Sequence, residues 1–166
     1  MAKAAISTSP INSDKYLRDI LGDLQDIFCY TCLNSAGLAI GTSSKADVLI
    51  ANTTYGMFNG VLKGHTTDEN VLAGTVTADK FNVFVLTMSV AGTITVTMGT
   101  EAATLAAVVL PAIPASEAVI GFVIVNPTGT GDFVGGTTEL DDATVVPNAV
   151  YVNTPFPINW TLAENL

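Results

Sequence analysis

After Lys80 the sequence contains no lysine, arginine or histidine. All six basic side chains (Lys3, Lys15, Arg18, Lys45, Lys63 and Lys80) and the one histidine, His65, lie in the first 80 residues beside eight acids, so the two halves carry net charges of −2 and −7. Phosphate grips, nucleic-acid grooves and anionic membrane surfaces all require clustered cations. With none clustered here, no nucleic-acid or membrane partner is expected. Acid–base catalysis loses its commonest agent as well, because a single histidine would have to serve every role. Aromatic residues make up only 7%, with one tryptophan, Trp160. A sugar cleft built from stacked rings is therefore not expected. The longest uncharged apolar run, 81–100, has the length of a membrane span, but it alternates with Thr and Ser and breaks at Ala91-Gly92. It reads as a hairpin. No secretion signal is expected, since Ala4-Ala5-Ile6 is followed at once by Ser-Thr-Ser-Pro.

What is present is small and apolar. Hydrophobic residues make up 49% of the 166, supplied mainly by Val, Ala, Ile and Leu interleaved with Thr, and the charged share is 13%, about half the usual value. This composition favours pleated strands. A chain of this length buries about 70% of its unfolded surface, so its own core suffices. Its weakly polar exterior nevertheless points to assembly with neighbours.

The pattern along the chain divides into an arm with an amphipathic helix over 1–30 and a β-domain over 31–166. Residues 1–12 are small and without apolar period. A helix is expected from Asp14 to Phe28, with Asn12 or Ser13 as N-cap. Leu17, Ile20, Leu24 and Ile27 are spaced 3, 4 and 3, and Leu21 and Phe28 widen the stripe. Such a stripe must be buried, either against the chain's own β-domain or against another molecule. Beyond Thr31, strands are expected at 38–42, 47–53, 57–62, 72–78, 82–89, 93–98, 119–126, 145–146 and 149–153. The short segment 102–110 is either a helical turn or an edge strand. Pro111-Ala-Ile-Pro114 forces an extended crossing. Spacing of about ten residues between turns indicates a mainly β fold, an antiparallel sandwich or barrel. Asn82–Met88, apolar on both faces, should be its central strand.

Few residues carry recognisable chemistry. Cys29 and Cys32 follow the expected helix, where the dipole opposes a thiolate, so they read first as buried or half-buried small residues; a disulfide, redox or metal role is the alternative. His65 lies in a polar turn with no nucleophile elbow to partner it and reads as a surface loop histidine. Asp132, Glu139, Asp141 and Asp142 lack the spacing of a calcium loop and read as a solvated acidic edge. Gly129, Gly131, Gly135 and Gly136 follow no βα unit and have no accompanying lysine, which makes them turn glycines. No catalytic residue, metal site or cofactor is expected.

Three stretches together carry a resemblance: Phe81-Asn-Val-Phe-Val-Leu with Val90-Ala-Gly-Thr-Ile-Thr-Val, Pro111-Ala-Ile-Pro114 with Ile120-Gly-Phe-Val-Ile-Val, and Thr130-Gly-Asp-Phe-Val-Gly-Gly-Thr-Thr-Glu-Leu-Asp141. Over 73–142, less than half of the chain, the sequence resembles small virion structural proteins of tailed bacteriophages, of the head decoration, capsid cement and head-fibre type. The resemblance implies a jelly-roll-like β-sandwich or barrel, often trimeric, attached through the major capsid protein to the outside of the head. Under it, Lys3, Lys15 and Arg18 would form the polar rim of a partner interface and Leu17, Ile20, Leu24 and Ile27 its buried stripe. An equally admissible arrangement seats the β-domain on the capsid and the helix at a trimer axis. A glycan- or host-binding module of a fibre or tail, using the loops at 128–142, is the alternative.

Overall fold

The computed structural model describes Leu17, Arg18, Ile20, Leu21 and residues 28–155. The protein is mainly β. Among the described residues the strands are β1 (Thr31–Cys32), β2 (Leu38–Ile40), β3 (Asp47–Ile50), β4 (Thr54–Phe58), β5 (Val61–His65), β6 (Asp68–Val71), β7 (Thr75–Val76), β8 (Asn82–Met88), β9 (Ile94–Met98), β10 (Ala118–Val125), β11 (Phe133–Val134) and β12 (Val150–Asn153). They form antiparallel sheets in the orders β1-β4-β5, β2-β3-β6, β11-β7 and β12-β10-β8-β9.

The four-stranded sheet is organised by β8, every residue of which is buried. Its sequence, Asn-Val-Phe-Val-Leu-Thr-Met, places apolar groups on both faces, as a strand in the middle of a sheet requires. One face presents Phe84, Leu86 and Met88, which join Ala118, Ile120, Val123 and Val125 of β10 in the main core. All four sheets contribute to that core, through residues such as Phe58, Val48, Ile50, Val76 and Phe133. Phe84 and Phe133 meet edge to face with centroids 5.9 Å apart, a favoured aromatic arrangement. The other face carries Val83, Val85 and Val119, with Val108, Ile113, Phe122 and Ile124 packed around them. At the start of the strand, buried Asn82 satisfies itself locally: its Nδ2 donates to the Gly99 carbonyl (3.0 Å) and its Oδ1 accepts the Val83 amide (2.8 Å).

Several expected strands match closely, including β8, β9 and β10. Others are corrected. The single strand expected at 57–62 is a hairpin, because Asn59 (φ 49°) and Gly60 (φ 79°) both adopt left-handed backbone and turn β4 into β5. Asn-Gly is the preferred pair for a type I′ turn. The strand expected at 72–78 shortens to β7, Thr75–Val76: an unexpected strand, β6, ends just before it at Val71, and Leu72 plugs the core. No strand forms at 145–146, although Val146 is fully buried. There Asp142 Oδ1 accepts the amides of Thr144 (2.7 Å) and Val145 (2.9 Å), and the Asp142 carbonyl accepts that of Val146 (2.9 Å). This local network holds the segment as a turn. Segment 102–110 contains a 3-10 turn, Leu105–Ala107, flanked by bridges from Phe81 to Ala102 and from Thr100 to Val109. Of the expected N-terminal helix, the described residues Leu17, Arg18, Ile20, Leu21 and Phe28 are helical. Its other positions lie outside the described residues.

Two glycines predict contrasting behaviour. A Cβ on Gly135 would overlap the Leu72 carbonyl oxygen, whereas a Cβ on Gly60 would meet nothing and offend only through its positive φ. In urea unfolding, Gly60→Ala should cost about 1–2 kcal/mol, and Gly135→Ala more than that, through overpacking against rigid backbone.

Candidate functional site

The residues expected to form a partner interface fall at the N-terminal end. Lys3, Lys15, Leu24 and Ile27 lie outside the described residues. Leu17, Arg18 and Ile20 are helical and exposed, and so are Leu21 and Phe28; Leu17 is 57% accessible. At these positions the chain's own β-domain does not cover the stripe. Tyr30 ends the helical stretch in left-handed backbone (φ 56°) and turns the chain into β1. The reversal is held by packing and polar contacts. The Tyr30 ring meets Phe58 edge to face at 6.1 Å, Asn59 Nδ2 donates to the Tyr30 hydroxyl (2.7 Å), and the Cys29 thiol donates to Asn59 Oδ1 (3.5 Å).

These contacts hold Cys29 and Tyr30 against the β4–β5 hairpin, which exposes more apolar surface. Tyr55, Val61 and Leu62 are all exposed, Leu62 at 54%, and β5 lies at the edge of its sheet. Nothing in the expected strand at 57–62 anticipated this surface. The readable signal was the Asn59-Gly60 pair, which exposes both residues that follow it.

The chemically tempting side chains are engaged by the protein itself. Cys29 and Cys32 are free thiols. Cys32 is buried, its thiol donates to the Asn34 carbonyl (3.0 Å), and burial pushes its pKa up. That is the opposite of a reactive thiolate. His65 corrects the sequence reading: it ends β5 rather than occupying a loop, and its side chain is only 14% exposed. Its Nδ1 lies 2.8 Å from the Gly92 carbonyl, which can only accept, so the ring donates there and ties β5 to the turn between β8 and β9. Nε2 lies 3.9 Å from Asp68 Oδ2. Asp132, Asp141 and Asp142 are likewise occupied. Asp132 accepts the Ala78 amide (2.9 Å) and Asp141 pairs with Lys45 (2.8 Å). Among the described residues no group of three or more His, Cys, Asp or Glu is placed to hold a metal ion. Gly135 donates its amide to the Gly74 carbonyl (2.8 Å), as a turn glycine does.

An open depression of about 420 Å³ is lined by Ser43, Leu49, Thr67, Asp68 and Glu69. Its one ready set of anion donors is already filled. The Glu69 carboxylate accepts the amides of Thr42 (2.7 Å), Ser43 (2.8 Å) and Ser44 (3.2 Å) and the Thr42 hydroxyl (2.7 Å). These bonds, led by that from the Ser43 amide, lower the Glu69 pKa to about 2. Glu69 thereby clamps β6 onto the turn between β2 and β3.

No family model, no curated protein and no solved structure matches the chain. No helix among the described residues is long and apolar enough to cross a membrane.

The Glu69 clamp predicts a pH dependence. Its folded pKa lies below the ordinary value of 4.5, so its stabilisation is complete above that value and is lost as pH falls towards about 2. Thermal melts of the native chain and Glu69→Gln should therefore differ near neutral pH and converge across that window. A constant difference down to the lowest pH would contradict the clamp.

Proposed function

We propose that this protein is a structural virion component without enzymatic activity: a decoration or cement protein, β-sandwich in form, that binds the outside of a tailed-phage head as a trimer. The observation that carries this reading is the exposed apolar surface at one end of the chain. Leu17, Ile20, Leu21 and Phe28 are exposed, and so are the hairpin residues Val61 and Leu62. Apolar surface concentrated in this way marks interaction sites. The sequence resemblance over 73–142 supplies the setting. The self-satisfied carboxylates and thiols fit a protein whose work is contact rather than chemistry.

The action is mechanical. Each bound copy bridges neighbouring subunits of the major capsid protein, and binding to the assembled shell stabilises it by mass action. A durable bridge needs an interface of about 1,600 Å², and the proposed contact draws on both the helical residues and the hairpin, with Lys3, Lys15 and Arg18 at its rim. The acidic, cation-free half of the chain, 81–166, faces outward.

Quantitative mass spectrometry of purified particles tests the assignment, using an acid-directed protease because trypsin has no site after Lys80. Copies numbering in the hundreds per particle are expected. A few to a few dozen would move the protein to a fibre or tail, where glycan or host binding becomes the better reading, and absence would sink the virion assignment. Particles lacking the protein should release DNA at lower temperature; equal release would defeat the cement role. Removing residues 1–28 should abolish capsid binding, and retained binding would place the contact on the β-domain.

A further inference from the structure

Asn59 and Gly60 form the exposed turn between β4 and β5, and they are the chain's one Asn-Gly pair. Asparagine is among the chemically labile residues, and a following glycine makes it more so. The backbone nitrogen of the next residue attacks the side-chain carbonyl carbon, and glycine alone leaves that nitrogen without a neighbouring Cβ to shield it. Here the surroundings add no shield of their own, since a Cβ at Gly60 would meet nothing within 4 Å.

The restraint comes from across the turn. Asn59 Nδ2 donates to the Tyr30 hydroxyl (2.7 Å), and Asn59 Oδ1 accepts from the Cys29 thiol (3.5 Å). The Tyr30 ring is itself braced edge to face on Phe58, with centroids 6.1 Å apart. Both polar ends of the carboxamide are therefore held, and the shorter bond is made by the nitrogen that the reaction must expel. Attack draws Cγ towards the Gly60 nitrogen and drives Nδ2 out, so it works against the bond to Tyr30.

We propose that Asn59 is a modification site, converted spontaneously by water to aspartate and isoaspartate, with the Tyr30 hydroxyl as the catch that slows the conversion. The Gly60 nitrogen gives up its proton to hydroxide and bonds to Asn59 Cγ; the Cγ–Nδ2 bond breaks and ammonia leaves, closing a succinimide ring. Water then opens the ring at Cγ to give aspartate, or at the backbone carbonyl of residue 59 to give isoaspartate. One water is consumed and one ammonia released, with no change of oxidation state. Both products lose the Nδ2 donor to Tyr30. Isoaspartate also routes the main chain through Cβ, lengthening a turn whose two residues are both left-handed, at φ 49° and 79°. Conversion thus loosens, irreversibly, the junction that turns the chain into β1. The inference concerns the isolated protein and does not depend on a virion role.

The full-length chain, incubated at mildly alkaline pH, provides the test. Trypsin releases residues 46–63 as one peptide, in which fragment-ion mass spectrometry reads the mass gain of amide to acid at Asn59 and at Asn52 separately. Asn52 is the internal reference: it is exposed too, and its Nδ2 donates to the Ser35 carbonyl (3.2 Å) rather than to Tyr30. Asn59 should convert in the native chain, ahead of Asn52 but more slowly than in the urea-unfolded chain. Tyr30→Phe keeps a ring for Phe58 and removes the acceptor alone. Losing one hydrogen bond shifts the balance of held and free side chain by a factor of about 2–10, and conversion at Asn59 should rise by that factor while Asn52 is unchanged. Tyr30→Gly, which suits left-handed backbone, serves should the phenylalanine variant fail to fold. No conversion at Asn59 in the native chain would overturn the site. A native rate equal to the unfolded one, or an unchanged rate in a folded Tyr30 variant, would overturn the catch, as would equal acceleration at Asn52, the mark of general loosening.

Discussion

The structure depends on a strand that is apolar on both sides. A sheet with one wet face could have used an alternating sequence for β8; Val83, Phe84, Val85 and Leu86 instead demand cover above and below. On the inner side the cover comes from the other three sheets, through Phe58, Ile50 and Phe133 among others. On the outer side no further sheet provides it among the described residues. The crossing between β9 and β10 fills the role, laying Val108 and Ile113 over Val83 and Val85. Its irregular course follows from this task. Prolines 111 and 114 keep the crossing extended and out of the ladder, and it can turn side chains inward without competing for strand pairing.

Scarcity of cations shapes the polar side of the fold. With no basic residue after Lys80, most acids cannot be neutralised by ion pairs. Backbone amides take their place. Glu69 receives three of them, Asp142 two and Asp132 one, while Glu101 accepts the amide and hydroxyl of Thr77. The pKa values of Glu69, Glu101 and Asp142 are lowered chiefly by these bonds. A carboxylate held by fixed amide donors keeps its geometry when salt screens distant charges. Such a fold is tuned by pH more than by ionic strength.

The sequence revealed its elements where a single signal governed them. β8, β9 and β10 were legible because apolar runs and alternation set both their extent and their burial. Periodicity failed where one residue overrode it. Asn59-Gly60 reverses a segment that otherwise reads as a continuous strand, and Leu72 leaves the ladder for the core between β6 and β7. His65 was misread for a related reason. A polar neighbourhood suggests a loop, but the ring is tied by a hydrogen bond to Gly92, 27 residues away, a contact that no local pattern exposes. At the candidate interface the stripe of Leu17 and Ile20 was visible from spacing, whereas the hairpin surface at Val61 and Leu62 was not, because exposure of an edge strand depends on which strands pair.

The distribution of the core bears on what the N-terminal residues are for. The main core draws on Tyr30 and Cys32 and on residues as far along as Tyr151, but on none of the described residues before Tyr30. Leu17, Ile20, Leu21 and Phe28 are thus apolar without contributing to that core. Scattered apolar residues on a surface need no explanation. Four at near-helical spacing, led by contacts of Cys29 and Tyr30 onto the turn of an apolar hairpin, are less easily dismissed. The left-handed backbone at Tyr30 costs about 1–2 kcal/mol, and the Tyr30–Phe58 and Tyr30–Asn59 contacts offset it. The fold therefore maintains, at a cost, a fixed junction of Cys29 and Tyr30, next in sequence to exposed Phe28, with an uncovered apolar edge. A junction of that kind is intelligible if both surfaces meet the same partner.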